Sequence, residues 1–139
     1  MAMGLTRLDH YSIRTDDLET TRDFYVDALG LAEGDRPPFP FPGYWLYCGD
    51  RPVVHLIGLD PEGAHGLTDY MGEDRERALK GGGAVDHLAF NADDLDGMRR
   101  RLDGLGIAYR ERDVPGMDLH QVFVEDPNGC TIELNFWTS

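Results

Sequence analysis

The strongest constraint on this chain is an internal repeat. Residues 8–31 read LDHYSIRTDDLETTRDFYVDALGL, and residues 85–107 read VDHLAFNADDLDGMRRRLDGLGI. Asp9-His10 returns as Asp86-His87 and Asp16-Asp17-Leu18 as Asp93-Asp94-Leu95, both 77 positions later. Leu29-Gly30-Leu31 returns as Leu105-Gly106-Ile107 at 76. Matches in the same order at a near-constant offset mark a diverged duplication, with one helix a residue shorter. The chain therefore divides into a module over 1–59, a module over 85–139, and a linker over 60–84. The linker is polar and closes on Gly81-Gly82-Gly83.

Each module opens on alternation. Tyr11 and Ile13 share one strand face, and His10, Ser12 and Arg14 share the other. Leu88 and Phe90 repeat the apolar face in the second module. Asp16 or Asp17, and Asp93 or Asp94, then offer a side-chain oxygen to cap a helix. Apolar residues recur at helical spacing in both halves: Leu18, Thr21, Phe24-Tyr25 and Ala28-Leu29, then Leu95, Met98, Leu102 and Leu105. Gly30 and Gly106 stand where a helix ends in the left-handed region. Extended segments follow at Tyr44–Cys48 and Val53–Ile57, joined at Gly49-Asp50, and at 107–112, 121–125 and 131–136. Asp126-Pro127-Asn128-Gly129 predicts a tight turn before the last of these. Each module thus reads β-α-β-β-β, an α+β chain.

Charge narrows the partners. The 139 residues carry 13 basic and 26 acidic side chains, a net −13. Nucleic acid and anionic membrane surfaces would both repel such a surface. No apolar run is long enough for a signal peptide or a membrane span, so a cytoplasmic protein is expected. Cys48 and Cys130 are too few for a disulfide scaffold and are expected to be reduced packing residues.

Strand parity singles out four polar residues. With Tyr11, Ile13, Leu88, Phe90, Ile132, Leu134 and Phe136 packed against the helices, His10, His87 and Glu133 face the other way. Val54 and Leu56 place His55 on that opposite face too. His10 and His87 are 77 apart and His55 and Glu133 are 78 apart, so each module contributes one residue from its first strand and one from its last. An approximate twofold would bring all four together. Three imidazoles and a carboxylate on one concave face suit one divalent metal ion per site, of Fe, Ni, Zn, Co or Mn. His55 is either a ligand or a base beside the ion. Arg14 and Asn91, with Ser12, Thr131 and Asn135, lie on the same faces and can orient a polar substrate. His120 is a candidate acid or base at one remove from the metal. His65 falls in the linker as a solvated residue. Phe39-Pro40-Phe41-Pro42 is either a roof over a pocket or a rigid surface turn. Arg99-Arg100-Arg101 reads as a solvated helix face.

Paired modules opening on Leu8-Asp9-His10 and Val85-Asp86-His87, and closing on FVEDPNGCTIEL over 123–134, resemble the vicinal oxygen chelate superfamily of glyoxalase I, bleomycin-resistance proteins and type I extradiol dioxygenases. The resemblance implies tandem βαβββ modules whose mixed sheets form a concave cup around a metal site, with helices on the outer face. It implies metal ligation by His10, His87 and Glu133, with His55 at the fourth family position, where glyoxalase I generally has Glu. In extradiol dioxygenases the equivalent His is an acid–base group and not a ligand, but those enzymes also carry a Tyr where this chain has Phe123. The activity expected is a glyoxalase I-like lyase or isomerase acting on a small molecule with vicinal oxygens. The alternatives are an Fe(II) extradiol dioxygenase and a non-catalytic antibiotic-binding protein. A homodimer is expected from the family, with ligands drawn from one chain or from both.

Overall fold

The computed structural model describes residues 4, 7–59, 81–83 and 85–138; His65 and most of the proposed linker lie outside them. The first module begins with β1 (Tyr11–Thr15) and α1 (Leu18–Asp23). Of the two capping candidates Asp17 is used, its carboxylate accepting from the Thr20 amide at 3.2 Å. The helix then widens into a π turn over Phe24–Ala28, which sends Phe24, Tyr25 and Ala28 into the core. β2 (Ala32–Gly34), β3 (Gly43–Cys48) and β4 (Arg51–Gly58) complete the module. The alternation does not mark β2, because its three residues are all exposed.

The second module repeats the order with β5 (Leu88–Ala92), α2 (Leu95–Gly104), β6 (Arg110–Asp113), β7 (Leu119–Glu125) and β8 (Thr131–Trp137). Asp94 is the cap here, accepting from the Gly97 amide at 3.0 Å. β6 starts three residues later than the apolar pattern predicts. Gly106 at φ +69° turns the chain after α2, and the Ile107 amide still bonds Leu102.

Each module forms a four-stranded mixed sheet, ordered β1-β4-β3-β2 and β5-β8-β7-β6. In both, the first and last strands of the module run parallel and the other pairs antiparallel. The expected tandem βαβββ architecture is present. One shared core contains Leu46 and Val54 from the first sheet, Val122 and Ile132 from the second, and Tyr25 and Leu102 from the helical segments, all fully buried. Among the described residues no helix is long and apolar enough to cross a membrane. Cys130 packs as expected and burial pushes its thiol up to about 11, whereas Cys48 is exposed.

The Asp-Pro-Asn-Gly turn is also the joint between modules. Asp126 accepts from the Asn128 and Cys130 amides at 2.8 and 2.9 Å, and from the Tyr25 hydroxyl at 2.9 Å. Asn128 accepts from the Thr15 hydroxyl at 2.9 Å and donates to that of Thr21 at 3.0 Å. Burial together with the Asp126 charge raises the Tyr25 phenol far above its ordinary value, so it remains a donor. Arg101 donates from α2 to the Ala28 carbonyl at 3.4 Å, so part of the arginine run meets the first module and is not simply a solvated face. These contacts engage α1, the π turn and α2, and so lock the modules together through their helical side.

Candidate metal centre

The four candidate ligands form two pairs. His10 and His87 each stand one residue before the first strand of their module, not on it as alternation suggests. In both, Nδ1 meets the carboxylate of the preceding Asp, at 2.7 Å for Asp9 and 2.8 Å for Asp86. A carboxylate can only accept from such a nitrogen, so in the neutral ring Nδ1 carries the proton and Nε2 keeps its lone pair. The repeated Asp-His dipeptide was visible in the sequence, and this is its chemical content: each Asp orients its imidazole. Asp86 also holds the His87 pKa above the ordinary imidazole range.

Glu133 on β8 is nearly buried, and its Oε1 stands 3.5 Å from His87 Nε2. Its other oxygen accepts from Asn135 at 3.0 Å, Asn135 accepts from Gln121 at 3.0 Å, and Gln121 accepts from Arg112 at 2.7 Å. Parity explains the chain, since Glu133 and Asn135 are two apart and Gln121 lies opposite Asn135. Gln121 and Arg112 went unnoticed in the sequence. The signal for them was the same alternation carried across β7 and β6.

The first-module pair is arranged differently. His55 lies opposite both Ser12 and Trp45, and its ring is sandwiched between His10 at 3.7 Å and Trp45 at 4.1 Å, nearly parallel to each. His55 Nε2 lies 3.0 Å from the Pro52 carbonyl, which can only accept. The lone pair of the neutral ring is therefore on Nδ1. Burial, followed by the neighbouring His10, lowers its pKa, so the ring is biased toward neutrality. Two imidazoles stacked face to face direct their in-plane lone pairs along parallel planes, which does not converge them on a single ion.

Within one chain the four residues stand as two separate pairs. Among the described residues, no three His, Cys, Asp or Glu side chains are placed to hold one ion. His10 with His55 belongs to the first module and His87 with Glu133 to the second. A cavity of about 320 Å³ where the two modules meet is lined by Ser12, Arg14, His87 and Thr131, among others; of the four candidate ligands, His87 alone is in its lining. Arg14 therefore shares a space with His87. Asn91 is elsewhere on the Glu133 face and accepts from the Trp137 indole at 3.1 Å.

His120 is on the wrong side of its sheet for a role beside Glu133. It shares parity with Val122 and Val124, faces the helices, and is held by Asp113 at 2.7 Å and Glu111 at 2.8 Å. Glu111 is in turn paired with Arg99 from α2. The two carboxylates raise the His120 pKa. A raised folded-state pKa adds stability that is fully present below the unfolded imidazole value, near 6.5, and is lost as pH rises through the folded value. The urea midpoint of the wild type is therefore expected to decline over that window more than that of His120→Gln. Equal slopes would show that the clamp contributes nothing.

Residues 7–134 match the family model of the Glyoxalase/Bleomycin resistance protein/Dioxygenase superfamily. Glyoxylase I 4 of Arabidopsis thaliana is 27% identical over 136 residues, covering 95% of this chain and 71% of that protein. A lactoylglutathione lyase from Agrobacterium tumefaciens superposes with a TM-score of 0.65 at 22% identity, over 96% of both chains. An antibiotic-binding protein from Streptomyces sp. CB03234 does so with 0.64 at 22%, over 99% of this chain and 100% of the other. The chain belongs to the Glyoxalase/Bleomycin resistance protein/Dioxygenase superfamily.

Proposed function

We propose that the protein is a metal-dependent, glyoxalase I-like lyase or isomerase that moves a proton on a small substrate carrying adjacent oxygens. The observation that carries this reading is the pair of Asp–His units, one of which aims its free Nε2 at Glu133. Two donors bound about 2.1 Å from one ion stand about 3.0–3.4 Å apart in octahedral or tetrahedral geometry, close to what His87 and Glu133 already show. The His87–Glu133 separation is 3.5 Å. The residues present thus fit a divalent ion of the nitrogen- and oxygen-binding kind. His10, His87 and Glu133 would hold it, and when bound it would polarise the vicinal oxygens as a Lewis acid.

His55 is then the base. Its stack against His10 argues against simultaneous ligation, and its available Nδ1 and lowered pKa suit it to accept a proton near neutral pH. Trp45 on its other face holds the ring in place. Arg14, lining the cavity beside His87, orients the substrate, and Asn91 is retained as a more distant polar contact. Because each chain presents the ligands in two pairs, the site is completed by a second copy. In that homodimer His10 and His55 of one protomer face the second-module ligands of its partner.

The test is isomerisation of a hemithioacetal by metal-loaded protein. His55→Ala is expected to keep the metal and lose about 10²–10⁴-fold in turnover. Undiminished turnover would remove His55 from the mechanism. The non-ligand arrangement of His55 also favours a second reading, ferrous extradiol dioxygenase. Against it, Phe123, directly opposite Glu133, supplies no hydroxyl. A yellow ring-cleavage product from catechol and the ferrous protein would establish that reading over the first.

A further inference from the structure

Glu133 ends a chain of hydrogen bonds whose direction is fixed from both ends. Strand register builds it: Arg112 lies directly opposite Gln121, and Gln121 directly opposite Asn135, which shares a strand and a face with Glu133. A guanidinium can only donate, so the 2.7 Å bond from Arg112 Nε makes the Gln121 oxygen its acceptor. That turns the Gln121 amide nitrogen to the Asn135 oxygen at 3.0 Å, and the Asn135 nitrogen to Glu133 Oε2 at 3.0 Å. An ionised carboxylate can only accept. Neither amide can turn over without setting two acceptors or two donors against each other. Gln121 is 5% and Glu133 9% exposed, so water does little to relieve such a mismatch. Arg112 is itself steadied on the Phe123 ring, 5.6 Å from its centre.

The duplication supplies an internal comparison. At the 78-residue offset that relates Glu133 to His55, Asn135 corresponds to Ile57 and Gln121 to Gly43. Gly43 and Ile57 are directly paired, as Gln121 and Asn135 are. An aliphatic side chain and a glycine can make none of these side-chain bonds. Both modules nevertheless build the same four-stranded order, so the fold does not require the chain. It occurs in the half whose last strand carries the carboxylate, a side chain with two equivalent oxygens between which something must choose. The two nitrogens of His55 are already told apart by the Pro52 carbonyl.

We propose that Arg112, Gln121 and Asn135 are positioning residues for Glu133, holding back Oε2 so that Oε1 alone is presented to a metal ion beside His87. Oε1 is the oxygen 3.5 Å from His87 Nε2. A carboxylate that ligates through one oxygen leaves more coordination positions for the adjacent oxygens of a substrate. Asp86 orients His87 in the same way, so each ligand of the second module is held by a partner of its own. The inference rests on the reading of His87 and Glu133 as ligands.

Side-chain amide NMR of the metal-free protein, followed by titration with cobalt(II), tests this. Arg112→Met is expected to shift the Asn135 side-chain amide signals, although Arg112 makes no bond to Asn135, and to weaken cobalt binding about tenfold. Arg112→Lys, which returns a cationic donor to Gln121, is expected to restore both readouts, bringing affinity within about threefold of wild type. Asn135→Ile, which installs the residue the first module carries, is expected to weaken cobalt binding about 10–100-fold. The visible cobalt band should change with it, because Oε2 becomes available to the ion. Asn135 signals unmoved by Arg112→Met would overturn the inference, as would cobalt affinity and band both unchanged in folded Asn135→Ile. Wild-type protein that takes up no cobalt would defeat the metal reading. The orientation of Glu133 by the three residues then stands or falls on the amide signals alone.

Discussion

Replacing His87 by Ala is expected to take the protein from near-stoichiometric metal to background, measured by elemental analysis of material purified anaerobically without chelator. The substitution deletes the Nε2 that faces Glu133 at 3.5 Å and leaves a nearly buried carboxylate without its neighbouring donor. Loss of a ligand should weaken binding by more than the about 10–100-fold typical of losing a group that merely orients one. Asp86→Asn supplies that smaller case, because an amide at the 2.8 Å position no longer holds Nδ1 as a charged acceptor. An intermediate loss of about 10–100-fold is expected there. His120→Gln should keep its metal, since His120 faces the helices. The His87 side chain is 40% exposed, so His87→Ala should change stability by less than about 1 kcal/mol. Metal retained in His87→Ala, or never taken up by wild type, would sink the metal centre. The metal found would also divide the activities, iron favouring the dioxygenase and nickel, zinc, cobalt or manganese the lyase or isomerase.

The second large effect is structural. Asp126→Ala should cost about 3–5 kcal/mol, because it strands three buried donors at about 1–3 kcal/mol each before partial relaxation. Those donors are the Asn128 and Cys130 amides and the Tyr25 hydroxyl, around a carboxylate only 4% exposed. Against a total of about 5–15 kcal/mol for a domain, that is a large fraction. Melting should fall by about 10 °C or more, followed by circular dichroism. Tyr25→Phe removes one of the same bonds and should cost about 1–2 kcal/mol. In the double variant the costs should not add, since both changes break the same contact. A melting temperature for Asp126→Ala within a degree or two of wild type would show that the joint does not hold the modules together.

Much of the fold was legible because its determinants are local. Asp17 and Asp94 cap helices through amides three residues away, and Gly106 ends α2 through its own φ. Alternation marked Val54 and Leu56 as core, and with them the opposite face for His55. His120 could have been assigned to the helical face from Val122 and Val124, had the start of β7 been recognised at Leu119. Trp45 was harder. Its place against His55 depends on the hairpin register, which shifts between Leu46 and Tyr47.

By itself the sequence determined the duplication, the two modules, the strand faces and the identity of the residues that pair with Asp9 and Asp86. These follow from periodicity and from bonds between near neighbours in the chain. Only the tertiary structure decided that the candidate ligands stand as two pairs and that His55 stacks instead of converging. The relation between the modules is set by buried bonds such as Tyr25–Asp126 and Thr15–Asn128, which join residues 101 and 113 positions apart. No local pattern encodes such a distance, because it is the sum of every turn and packing contact between them.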